Sequence, residues 1–336
     1  MVSSTGGSLS GARRRALLAF VLVVALVWWR ARTSGFFFIV GLQGDASANL
    51  GPLLPALCAG LSAALTLLIA DAAAGAFAGA LAAVVLIALP GFMLMHRDSL
   101  TGPPLLAITL LMLGAMVHAP RFSLAYGTLG AIGGLFIATD GIGLPLAAAA
   151  WALLQRAREN GRWQRVALAL VPTGVVLLLA HLLGGAWPHH IVFEWRGGLD
   201  RGLRAAGAII GDQMAPTIAH PALRFLVIAD LALIIVAVIA VGWRQAGRAA
   251  AESSVFRSVY PVAGLLATAL AIGLAGRTLL VQGAPEPDLA AVMPLVALTA
   301  VILVVSVAGL WPRLPRWGKL AAVVLFVGWM QAAVRG

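Results

Sequence analysis

Charge is scarce in this sequence. Only 10% of its 336 residues are Asp, Glu, Lys or Arg, 61% are apolar, and the mean hydropathy is +0.99. Soluble domains carry about a quarter charged and about half apolar residues, so a soluble globular chain is excluded. Cysteine is reduced to Cys58, inside an apolar run, which leaves no internal disulfide and no cysteine metal site. Lysine is reduced to Lys319, every other basic residue being Arg; with the heavy use of Ala and Gly, this points to a GC-rich bacterial source. No segment of about ten residues alternates apolar and polar positions, which excludes a membrane β-barrel. Phosphate-loop, dinucleotide-binding, HExxH and GxSxG motifs are all missing, so those chemistries have no support. Low-complexity stretches, linkers and a second soluble domain are missing too.

What is present is a series of apolar runs, each near the roughly 20 residues that cross a bilayer as a helix. The expected fold is therefore all-α, a polytopic bundle of about eleven transmembrane helices. The runs fall near 14–30, 51–70, 72–95, 103–119, 122–138, 141–155, 166–187, 223–243, 259–281, 290–311 and 320–334. Residues 1–12 read as a disordered tail and 13–336 as one membrane domain. Arg13, Arg14 and Arg15 precede the first run as in a signal peptide, but Trp28, Trp29 and Arg30 follow it without a small-residue cleavage site. The first run is thus expected to stay attached as a signal anchor.

The formal charge of +11 would suit nucleic acid if the basic residues formed one patch. They lie between apolar runs instead, and no nucleic-acid partner is expected. With the N-terminus inside, Arg121, Arg156, Arg158, Arg162, Arg165, Arg244, Arg248, Arg257, Arg313, Arg316 and Lys319 all fall on the cytoplasmic side, as the positive-inside rule requires. Asp45, Asp98, Asp140, Glu194, Asp200, Asp212, Glu286 and Asp288 fall outside. Acids contribute little to orientation, so their gathering on one face points to chemistry there. The largest outer loop spans 188–222; within it Leu199, Leu203, Ala206 and Ile210 share a helical face opposite Asp200, Arg201 and Arg204, the pattern of a short amphipathic surface helix.

The candidate site residues are outer-face groups: Asp45 after the first helix, Arg97 and Asp98 after the third, Asp140 after the fifth, and Glu194 and Arg196 at the start of the long loop. Arg277, near the outer end of the ninth helix, has two readings. It snorkels to the interface, or it holds an anionic headgroup. Asp230 should face a partner or cavity, since an acid in hydrocarbon is costly. His189, His190 and His220 read as interfacial groups before metal ligands, and His118 and His181 as hydrogen-bonded core groups. Asp71 reads as a cap between two helices. Gly75 and Gly79, like Gly130 and Gly134, have the GxxxG spacing that lets helices approach closely.

From Pro55 to Leu154 the order of segments resembles the GT-C superfamily of integral membrane glycosyltransferases, the group of the protein mannosyltransferases and aminoarabinose transferases. The resemblance rests on a small-residue helix, then IALPGFMLMHRDSLTGPPLLAITLLML, then YGTLGAIGGLFIATDGIGLPLAAAAWALL. It implies a polyprenyl-phosphate sugar as donor, an unknown acceptor, and a carboxylate of the first outer loop as base, a place that Asp45 occupies. A cation for the leaving lipid phosphate would come from Arg277, Arg97 or Arg196. No definite cofactor is expected, and a divalent cation stays open. The chain departs from the family in its short first outer loop, in Gly102 where an acid is frequent, and in Thr139-Asp140 where a basic residue is frequent.

The expected function is sugar transfer on the outer face of a bacterial inner membrane, with membrane lipid as constant partner. Two other readings stay open: a noncatalytic membrane subunit or scaffold, and a transporter or flippase for a lipid or small solute. For Asp45 the alternative is a turn residue capping the second helix.

Overall fold

The computed structural model describes residues 5–33, 53–98, 102–118, 144, 147–149, 162–182, 208, 259, 262–263, 266, 289–311, 315–320, 323–324 and 326–327. Among these every regular element is helical, with no strand. In chain order they are α1 (Thr5–Thr33), α2 (Leu53–Ala74), α3 (Ala76–Ala88), α4 (Pro90–Asp98), α5 (Gly102–His118), α6 (Arg162–Leu182) and α7 (Leu289–Leu310). Leu, Ala and Val dominate them, so the helical hydrogen bonds satisfy the backbone where side chains cannot.

One described helix, α2, is by itself long and apolar enough to cross a membrane. An 18-residue stretch within its 22 residues has a mean hydropathy of 2.2, and at 1.5 Å per residue the helix spans about 33 Å, slightly more than a hydrocarbon core. Helices α3 and α4 meet the same test only as a pair, bent by 65° between Ala88 and Pro90. The sequence suggested one helix over 72–95; instead it turns at Gly75 and bends again at Pro90. Gly75 has φ +90°, ψ 173°, a conformation open to glycine and few others. Leu89, ahead of Pro90, is extended at ψ 127°, because the proline ring disfavours a helical residue before it. Helix α1 begins at Thr5 and so takes in most of the stretch expected as a tail.

Contacts fix the relative directions. A Cβ on Gly60 would meet Phe20 and Val24 of α1, while Asp71 further along α2 pairs with Arg15. As α2 advances α1 recedes, so the two are antiparallel. Gly79 of α3 lies on Leu67 and Asp71, which makes α2 and α3 a second antiparallel hairpin closed at Gly75. Two apolar layers are stacked along the bundle. One joins Val23, Ala59, Leu86, Phe92, Leu106 and Met293; the other joins Ile69, Ala82, Leu113, Leu144, Val262 and Val301. Helices α2, α5 and α7 all run from the first layer to the second. These are the directions the charge alternation expects of the same segments.

Some faces stay uncovered. Leu17, Leu18, Val21, Leu22 and Trp29 of α1 are each more than half exposed, as are Val171, Leu178 and Leu182 of α6. Contiguous exposed apolar surface of this kind is rare on soluble monomers and suits contact with lipid or another apolar surface.

Candidate functional site

Short helix α4 closes one end of the bundle. It packs against α1, α2, α3, α5 and α7, with Phe92 and Met95 fully buried between them. His96 follows one turn after Phe92 and is 2% exposed. Its Nδ1 is 2.6 Å from the Phe92 carbonyl oxygen, and the two rings sit 4.3 Å apart, tilted by 45°. A carbonyl only accepts, so Nδ1 carries the proton and Nε2 presents a lone pair. That nitrogen is buried and has no hydrogen-bond partner.

Among the described residues two more buried polar atoms lack partners, the hydroxyls of Ser62 and Thr66 on α2. Elsewhere Thr109, Thr173 and Thr299 each donate to the carbonyl four residues back, the usual solution for a hydroxyl inside a helix. Ser62 and Thr66 do not, and at four-residue spacing they share one face. An isosteric apolar replacement of an unpartnered buried hydroxyl should be neutral or stabilising. Thr66→Val is therefore expected to leave the thermal midpoint in detergent unchanged or raise it. A clear fall would mean that the hydroxyl has a partner in the working protein.

At the opposite end Arg15 Nη2 donates to Asp71 Oδ2 at 2.6 Å. Asp71 is thus not a cap between helices: it lies inside α2, three residues before the end, and its side chain is tied to α1. The pair is unequal, with the Arg15 side chain 44% exposed and the Asp71 carboxylate 11% exposed. Screening at the exposed guanidinium limits its worth to about 0.5–1 kcal/mol. Arg15→Gln should lower stability by that amount. In a double-mutant cycle Arg15→Gln with Asp71→Asn should cost less than the sum of the single changes, measured by chemical unfolding in detergent.

The sequence-predicted site residues fare differently. Arg97 and Asp98, expected in a loop, form the last two positions of α4. Asp45, Asp140, Glu194, Arg196 and Arg277 lie outside the described residues, as do Asp230, His189, His190 and His220. His118 ends α5 and His181 lies next to the end of α6. Among the described residues no three His, Cys, Asp or Glu side chains come together in a manner that could hold a metal ion. Sequence reasoning passed over His96, since a histidine at the edge of an apolar run looks like the start of a loop. The signal available was its place one turn after Phe92 and beside the Pro90 break.

No protein-family model, no curated protein and no solved structure matches this chain.

Proposed function

We propose that the chain is a multi-pass membrane glycosyltransferase of the GT-C type, moving a sugar from a polyprenyl-phosphate donor to an acceptor at the outer face of a bacterial inner membrane. The reading is carried by the order of the sequence, in which the connections expected on one face hold eight of the twelve acids, Asp45 in the first of them. Support comes from the fold as well. The connection holding Asp45 leaves α1 at Thr33 and returns at Leu53, and those helix ends belong to the end of the bundle where α4 packs. Arg97 and Asp98 end α4. The exposed apolar faces of α1 and α6 suit lipid.

In this reading Asp45 takes the proton of the acceptor hydroxyl as its oxygen attacks the anomeric carbon. The bond from that carbon to the lipid phosphate breaks, and the phosphate departs with the electron pair. A guanidinium suits that oxyanion, and Arg97, Arg196 and Arg277 are the candidates. The direct test supplies radiolabelled polyprenyl-phosphate hexoses and pentoses to membranes from cells with and without the gene. Label should pass to a non-donor product only where the chain is present. Failure of every donor would remove the reading.

The buried hydroxyls of Ser62 and Thr66 favour a second reading, a transporter for a lipid or small solute, which needs polar groups within the membrane. Flux into proteoliposomes in the absence of any sugar donor would select it.

A further inference from the structure

We propose that His96 is a positioning residue whose Nε2 accepts a hydrogen bond from an uncharged sugar hydroxyl of a membrane-embedded donor. The identity of that hydroxyl rests on the sugar-transfer reading above. The inference itself begins with the ring. Nδ1 is committed to Phe92 in its own helix, so the tautomer is fixed and Nε2 can only accept. The Phe92 ring beside it restricts rotation about the side-chain bonds. A buried acceptor left without a donor costs about 1–3 kcal/mol, and buried polar groups are nearly always satisfied.

A cation is a poor occupant, because no cluster of three ligating side chains exists among the described residues and one imidazole does not hold an ion. An anion is worse, since a bare lone pair repels it. A neutral O–H fits both the charge and the geometry of the group.

The second observation is the backbone around it. A 65° bend separates α3 from α4, so the chain stops following the bundle and α4 packs against five other helices, with His96 buried. Membrane proteins place irregular backbone where it is buried in protein or lines a cavity, and broken helices are a frequent source of ligand groups. The lone pair thus lies at the end of the bundle where Val23 and Val27 of α1 and Ala56 and Ala59 of α2 pack with Phe92 and Met95.

The test labels histidine with nitrogen-15 in the full chain, reconstituted in phosphatidylethanolamine and phosphatidylglycerol vesicles. The His96 resonance is assigned by its loss in His96→Phe. Farnesyl phosphates of glucose, mannose, galactose and aminoarabinose are added one at a time, with farnesyl phosphate alone as the sugar-free arm. The expected result is an Nε2 signal that moves from unbonded to hydrogen-bonded acceptor with at least one sugar donor and not with farnesyl phosphate. A signal already hydrogen-bonded before addition and unmoved afterwards assigns the partner to water and overturns the proposal. So does an unbonded signal that no donor moves.

Kinetics give an independent reading. His96→Phe removes the acceptor without leaving a new polar group and should keep or raise the thermal midpoint, while KM for the donor rises up to about tenfold with a smaller change in kcat. His96→Gln, which retains an acceptor, should recover part of the loss. Unchanged KM in a folded His96→Phe protein sinks the proposal. The two readings fail separately: transfer without a His96 response removes this role alone, and a His96 response without transfer leaves a sugar-lipid site and removes the enzyme.

Discussion

Asp45→Asn is expected to abolish sugar transfer in membranes while leaving the level of the protein intact. The substitution preserves the size of the side chain and removes its ability to take a proton. A positioned general base contributes roughly 10²–10⁴-fold to rate, so the residual activity should fall near the detection limit of a membrane assay. Asp98→Asn and Asp140→Asn serve as comparisons, because they neutralise other acids assigned to the same face. If all three lowered transfer equally, the face would be acting through its net charge. If only Asp45→Asn did so, and donor binding survived, the loss would belong to proton removal. Unchanged transfer in Asp45→Asn would take Asp45 out of the mechanism and leave it as a turn residue before α2. The scaffold reading makes the opposite forecast, that neutralising every outer acid has no effect and that the chain co-purifies with a partner.

The largest effect on stability is expected at Gly79. A Cβ there would lie 2.7 Å from the Leu67 carbonyl oxygen and 2.8 Å from Asp71 Cβ. Backbone cannot swing aside as a long side chain does, so α2 and α3 must separate. Gly79→Ala should cost about 1–3 kcal/mol, and Gly79→Leu should prevent the hairpin from closing. Gly60→Ala should behave in the same manner, with the Phe20 carbonyl oxygen at 2.8 Å. Gly75→Ala should also destabilise, but for another reason. Nothing lies within 4 Å of a Cβ at that position; the cost is the extended backbone at positive φ, a region nearly confined to glycine, roughly 1–3 kcal/mol. Chemical unfolding in detergent measures all three. Equal losses at Gly79 and the open, helical Gly174 would contradict the packing argument.

The helices were legible because apolar run length is a local property. The segments near 51–70, 103–119 and 290–311 correspond to α2, α5 and α7 within a few residues. That these three helices run in the same direction agrees with the placement of arginine. The break at Gly75 was not legible, because Gly75 and Gly79 match a spacing that normally marks one helix pressed on another. In the fold the two divide the work: Gly75 turns the chain and Gly79 makes the contact. Asp71 resembled a cap because it precedes the turn, and its partner Arg15 lies 56 positions away, a separation at which spacing carries no information. His96 depended on the bend at Pro90, since on a straight continuation of α3 it would leave the bundle. Of the site, the sequence offers an expected side for the acids and no more; their distances from one another are tertiary quantities.

The tie between Arg15 and Asp71 also bears on the connection between α1 and α2. Both residues belong to the first hairpin, so the guanidinium and its carboxylate join two helices that are neighbours in the sequence. The pair adds to the close contact at Gly60 in holding the register of α1 against α2, and the 19 positions between Thr33 and Leu53 begin and end at that pair of helix ends. Both anchor points of the connection bearing Asp45 therefore belong to one helix pair.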